Sequence, residues 1–133
     1  MKKSNTNKIF LACPIIYRGR KDVLFNSMRY GFQCRDGWFL LIFELSKKIE
    51  FIVNTLRKNG CRPVDLPVVS EVKEKDGMLL FCVCGSSEEI NKLIERAEEK
   101  AVMTCERCGE PGSLRQQDWP ATLCKACLLK TSV

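Results

Sequence analysis

The residues best placed to do chemistry are the cysteines near the end of the chain. Cys105-Glu106-Arg107-Cys108 and Cys124-Lys125-Ala126-Cys127 form two Cys-x-x-Cys pairs with fifteen residues between them. Each pair offers two sulfurs from one tight turn, and a hairpin between the pairs would bring all four around one ion. That spacing is the four-thiolate zinc pattern. Gly109 follows Cys108 directly, where the chain must turn sharply as sulfur and backbone crowd the metal. Two unrelated cysteine pairs, or two disulfides, are the competing readings. Catalytic zinc keeps three protein ligands and an open position for water. Four thiolates from Cys105, Cys108, Cys124 and Cys127 would fill every position, so the pattern predicts a closed, structural Zn2+ site. The free energy of zinc binding would then be folding free energy for a segment too short to bury its own core.

Little else in the sequence looks reactive. The chain has no histidine, which removes the commonest general base. Glu71 and Glu74 fall on opposite faces of an expected strand, Glu88-Glu89 opens an expected helix, and no glycine loop for phosphate is present. A non-enzymatic protein is expected. Of the nine cysteines, Cys13, Cys34, Cys61, Cys82 and Cys84 lie outside the zinc set and read as buried free thiols. Cysteines in a metal pattern suit a reducing compartment, hence a cytoplasmic protein. The apolar stretch from Ile9 is too short and too interrupted by Pro14 for a secretory signal, and no run is long enough to span a membrane.

Charge is unevenly placed. Residues 1–37 carry a balance of +6, residues 38–103 of −1 and residues 104–133 of +1. Zinc on four thiolates adds about −2 to the last segment, which makes it a poor match for phosphate. A partner surface is therefore expected at Arg18, Arg20, Lys21, Arg29, Tyr30 and Arg35, where basic residues alternate with Tyr17, Phe25, Tyr30 and Phe32. Such a mixture suits an acidic protein surface with aromatic anchors. It also suits nucleic acid, through charge and stacking, and it equally fits a loop that caps the core.

The elements that must position these groups follow from periodicity. Residues 1–7 read as a mobile polar start and Ile9 to Ile16 as a short strand. Trp38, Leu41, Ile42, Leu45, Ile49, Ile52, Val53 and Leu56 recur at helical spacing from Asp36 to Asn59-Gly60. Phe39, Leu40, Phe43 and Phe51 are left over on that helix, apolar surface that either a second layer or a partner must cover. Val68 to Lys75 and Met78 to Cys84 form a hairpin about Asp76-Gly77, with Lys75 facing Met78 and Val72 facing Phe81. The second strand is apolar on both faces, so it is expected to be central, with Ile9 to Ile16 on its open side. Ser86 to Glu89 has capping-box spacing, and Ile90, Leu93, Ile94, Ala97 and Ala101 stripe a helix that runs into Cys105. The expected fold is α+β: a small antiparallel sheet of two to three strands packed by a long helix and a second helix, with a C-terminal zinc ribbon. Its parts are a basic N-terminal segment (1–36), an α+β core (37–103) and the four-cysteine zinc ribbon (104–133).

Three stretches together resemble a known group. Gly31 to Phe39 is similar to a GF-x-x-x-DGW helix start, and Val72 to Phe81 to a VKEK-x-G-x-L-x-F hairpin. Thr104 to Cys108, Pro111-Gly112, Trp119 and Thr122-Leu123-Cys124 are similar to a closing zinc segment. This order resembles small uncharacterised proteins of bacteria, phages and prophages. It departs from them at Asp76, where an aromatic is expected, and at Cys127, where histidine often closes the second knuckle. The resemblance implies the fold and a mobile-element setting, and no activity. Together the readings predict a zinc-stabilised binding protein, an accessory or inhibitor directed at a host complex such as a host-defence or transcription assembly. Nucleic-acid binding through the N-terminal segment is the alternative.

Overall fold

The computed structural model describes residues 1–22, 24 and 26–131. Among these, four α-helices and two two-stranded antiparallel sheets make an α+β fold. Helix α2 spans Phe39–Lys58 and follows a 3₁₀ turn at Asp36–Trp38. It buries Trp38, Ile42, Leu45, Ile49 and Val53 along the expected stripe, and Gly60 beyond its end takes φ +92°. Leu40 and Phe51 on its other side are 63% and 75% exposed.

The expected mobile start and strand are overturned, for Lys3–Ala12 form helix α1. Ile9, Cys13, Ile16 and Tyr17 recur in steps of three and four residues, and all four are buried. That is a helical stripe which continues through a turn after the helix itself has stopped. Pro14 falls just past the last helical residue, where its missing N–H costs no intrahelical bond. The next two backbone N–H groups find a partner on α2: Ile15 and Ile16 donate to the Glu50 carboxylate at 3.1 and 2.9 Å. The Tyr17 hydroxyl meets Ser46 Oγ at 2.7 Å in the interior.

Strands β1 (Val68–Lys75) and β2 (Met78–Cys84) pair with Lys75 opposite Met78 and Val72 opposite Phe81, as the two-residue turn requires. Asp76 and Gly77 both take positive φ, 53° and 83°, the signature of a type I′ turn. A register shift between Val69 and Glu71 puts Val69, rather than Val68, fully into the core. The expectation of a central β2 is also corrected. The additional backbone neighbours lie on β1: Val69 N–H donates to Ile16 O at 2.8 Å, and Gln33 bonds both Val72 O and Glu74 N–H at 3.0 Å. The segment that would have extended the sheet beside β2 is helical, and helix α3 packs on β2 instead.

Helix α3 spans Glu88–Ala101 and buries Ile90, Ile94, Ala97 and Ala101. Its N-cap is Ser87, whose hydroxyl accepts the Ile90 N–H at 3.2 Å. The cap thus sits one residue later than the Ser86 spacing suggests, and Ser86 Oγ instead lies 2.7 Å from Asn91 Oδ1. After α3 come β3 (Ser113–Arg115), β4 (Ala121–Leu123) and the short helix α4 (Lys125–Thr131). Ile9, Ile16, Met28 and Phe32 share one core with α2, β1, β2 and α3, whereas Cys105, Leu123 and Cys127 form a separate small cluster. Among the described residues no helix is long and apolar enough to cross a membrane.

Candidate metal centre

The first knuckle starts where α3 stops. Cys105 N–H donates to Glu110 O at 2.7 Å and Gly109 N–H to Cys105 O at 2.9 Å, closing a turn that Gly109 completes at φ +82°. The second knuckle is the junction of β4 and α4. Cys124 stands just before α4, its carbonyl accepting the Leu128 N–H at 2.9 Å and its sulfur the Cys127 N–H at 3.4 Å. Hairpin β3–β4 carries the chain from one knuckle to the other. The four sulfurs lie within 4.8 Å of one another, and Cys108 Sγ is 3.6 Å from Cys124 Sγ.

These distances discriminate between the readings of the sequence. A disulfide would bring two sulfurs to about 2.05 Å, and all nine cysteines are free thiols. A tetrahedral ion with metal–sulfur bonds of about 2.3 Å sets its ligands roughly 3.8 Å apart, close to the spacing observed. Burial alone would raise the Cys105 thiol, but the N–H groups of Cys124, Cys108 and Arg107 point at its sulfur and bring it down to about 6. Its hydrogen bond with the Cys124 sulfur, together with burial, pushes Cys127 up to about 12. The set has four sulfurs for a tetrahedral ion and no open ligand position.

The ribbon is joined to the core by contacts that the sequence did not reveal. Gly37 N–H donates to Glu106 O at 2.7 Å, and a Cβ on Gly37 would stand 2.1 Å from Cys105 O. Glycine is required there by close backbone approach. Trp38 Nε1 donates to Thr104 O at 2.9 Å, and Arg35 N–H to Glu106 Oε2 at 3.2 Å. Glu106 is buried; desolvation raises its carboxyl, and the Arg35 N–H holds it back. On the opposite side, buried Thr122 Oγ1 donates to Gly77 O at 2.7 Å, and Gly77 lies against Leu114 and Ala121. The DGW stretch, with Arg35 just before it, and the turn of the VKEK hairpin are therefore two places where the core grips the ribbon.

The six residues expected to form a partner surface have different surroundings. Arg18 donates from its guanidinium to the carbonyls of Ile15, Pro63, Leu66 and Pro67 at 2.6 to 3.1 Å, tying the first segment to the connector before β1. Arg20 lies over the Phe10 ring, 4.8 Å from its centroid, and Arg29 over Tyr30 at 4.5 Å. Lys21 and Arg35 are exposed, and Arg35 lines a cleft with Glu74, Glu106 and Trp119. Tyr17 and Phe32 are buried, forming a ring cluster with Phe10 at centroid distances of 5.3 to 5.5 Å, so they offer no stacking platform. Phe25 lies outside the described residues. Of the five thiols expected to be buried, Cys13 and Cys34 are, and burial pushes both up to about 12, which leaves them protonated at neutral pH. Cys61 and Cys82 are half-buried and Cys84 is exposed, so the expectation fails there.

Fold and geometry define the class: a small α+β protein with four cysteines arranged to bind a metal ion. No family model matches the chain, and no curated protein or solved structure matches it significantly.

Proposed function

We propose that this chain is a non-enzymatic, zinc-stabilised binding protein of the cytoplasm. In this reading it is a phage- or mobile-element-associated accessory protein or inhibitor that acts on a host protein complex. The observation that carries the reading is the closed cysteine set. Four thiolates at tetrahedral spacing suit zinc, offer no position to a substrate, and are welded to the core by Gly37, Trp38 and Thr122. The ion's role is then to hold a surface in shape. Trp119, 86% exposed on the ribbon, supplies an apolar anchor of the kind that dominates protein contacts. The mobile-element setting rests on the resemblance of the DGW, VKEK and cysteine stretches.

The metal is tested by native mass spectrometry and elemental analysis, which should find one zinc per chain. Binding is tested by capturing partners of the tagged, zinc-loaded protein from host lysate with and without nuclease. A stoichiometric protein that survives nuclease supports the reading. Recovery that nuclease abolishes would overturn it in favour of nucleic acid, the reading that the +6 balance of residues 1–37 favours. In that case affinity should fall by about 0.7 to 0.9 log units per log unit of salt for each phosphate contacted.

A further inference from the structure

Along the first turns of helix α2, Leu40, Glu44, Lys47 and Phe51 are exposed in that order, with exposed Lys48 at their side. At about 100° per residue the four fall within roughly 60° of one another, a single stripe about 16 Å long. The order is apolar, acidic, basic, apolar. Reversed end for end it becomes apolar, basic, acidic, apolar, which is its own complement. We propose that the chain forms a two-fold dimer in which α2 packs antiparallel against α2 of a second copy. The axis passes between Glu44 and Lys47, so that Leu40 meets Phe51 of the second copy and Glu44 meets its Lys47. A two-fold contact of this kind is self-complementary and closes at two copies.

The surface around the stripe fits that occupant. Two adjoining hollows run between α2 and α3, of about 570 Å³ beside Phe51, Ile52 and Leu93 and about 680 Å³ beside Leu40, Ala97 and Met103. An antiparallel second helix places its own Phe51 over the larger hollow and its Leu40 over the smaller. Leu40, Phe51 and Met103 are 63%, 75% and 60% exposed, so the free monomer leaves this apolar surface in water. Among the described residues no ion pair involves Glu44 or Lys47; the Lys47 ammonium rests on the Phe43 ring at 4.6 Å. Both charges are therefore available to the second copy. A stable interface takes about 800 Å² per partner, about a tenth of this chain's 8151 Å².

The pairing is independent of any foreign partner, and its test needs only the full-length, metal-loaded protein. Sedimentation velocity over a concentration series should show a monomer–dimer equilibrium. Phe51→Ser should leave a monomer with an unchanged circular dichroism spectrum, because the ring touches solvent in the monomer. Glu44→Lys and Lys47→Glu should each weaken dimerisation at least about tenfold, because each puts like charges together twice per dimer. The double reversal should restore it, which a merely structural role for either residue would not produce. A monomer up to millimolar concentration would overturn the proposal and leave the stripe to a foreign helix. A dimer indifferent to both single reversals would overturn it as well.

Discussion

Among the described residues, the first 35 hold one helix followed by turns and the last 30 a short hairpin and a short helix, yet the two segments are held in opposite ways. The N-terminal segment sinks Ile9, Ile16, Tyr17, Met28 and Phe32 into the main core and ties its loops down with side chains, Arg18 on four carbonyls and Glu50 on two N–H groups. The apolar cluster of the ribbon is small and separate, made of buried Cys105, Leu123 and Cys127. Fully burying one leucine contributes about 1.5–3 kcal/mol, while a structural zinc contributes roughly 10–16 kcal/mol in small isolated domains. One end is thus organised by packing, and in the proposed reading the other is organised by an ion. Irregular chain needs a dense local source of free energy, and either kind will serve.

Removing the ion is the largest perturbation that separates the two ends. A strong chelator, or Cys105→Ser, should abolish amide protection through β3, β4 and α4 while α1 and the turn after it stay protected. Hydrogen exchange read by mass spectrometry distinguishes them directly. If α1 lost protection at the same time, the two ends would be one cooperative unit and the contrast would collapse. Next in size is the joint itself. Gly37→Ala puts a methyl carbon where Cys105 O stands 2.1 Å away, and both flanking segments are fixed backbone. A loss of about 3 kcal/mol is expected from such overpacking, seen as a lower urea midpoint together with weaker metal retention. Loss of stability with metal retention unchanged would show that the joint supports only the core.

The same contrast explains what the sequence disclosed. The four-cysteine cluster was legible because each knuckle is a local spacing, complete within four residues. Helix α2 and the β1–β2 hairpin were legible because their periods run uninterrupted through Trp38 to Val53 and through Val72 and Phe81. Helix α1 was missed because its buried stripe crosses Pro14. Ile9 and Cys13 lie on the helix and its cap, Ile16 and Tyr17 on the turn beyond, and the apolar run reads as a strand when only neighbours are compared. The carbonyl contacts of Arg18 leave no local signal, because Pro63, Leu66 and Pro67 lie 45 to 49 residues away. The joint left one local trace, a glycine between Asp36 and Trp38 where a helix was starting. Its meaning is tertiary, since only the folded chain brings Cys105 against it.

Two smaller changes sharpen the description of the packed end. Arg18→Ala removes charge-assisted bonds to four carbonyls, and water can replace part of them because the side chain is exposed. A loss of about 1–2 kcal/mol is expected, against about 0.5–1 kcal/mol for Arg20→Ala, which gives up only its place over Phe10. Equal losses would mean that Arg18 acts as an ordinary surface charge after all.

The smallest effect is a pH dependence at Asp36, where α1 meets the turn that starts α2. Slight desolvation works against its charge, but the Lys2 N–H and the Asn5 amide donate to Asp36 Oδ1 at 2.9 and 3.0 Å and hold the carboxyl below its ordinary value. A group lowered on folding contributes stability that is complete above its unfolded pKa of about 3.9, and is lost as pH falls through the folded value. Acid also strips metal from thiolates, so the raw acid limb reports both ends of the molecule. The informative quantity is the difference in stability between the native protein and Asp36→Asn, measured by urea denaturation at each pH. That difference should be constant above about pH 5 and shrink below it, because the variant has no proton to take up there. A difference that stays flat to the lowest measurable pH would mean the carboxylate's charge contributes nothing to the seat of α1. The packed end would then rest on its buried stripe and Arg18 alone.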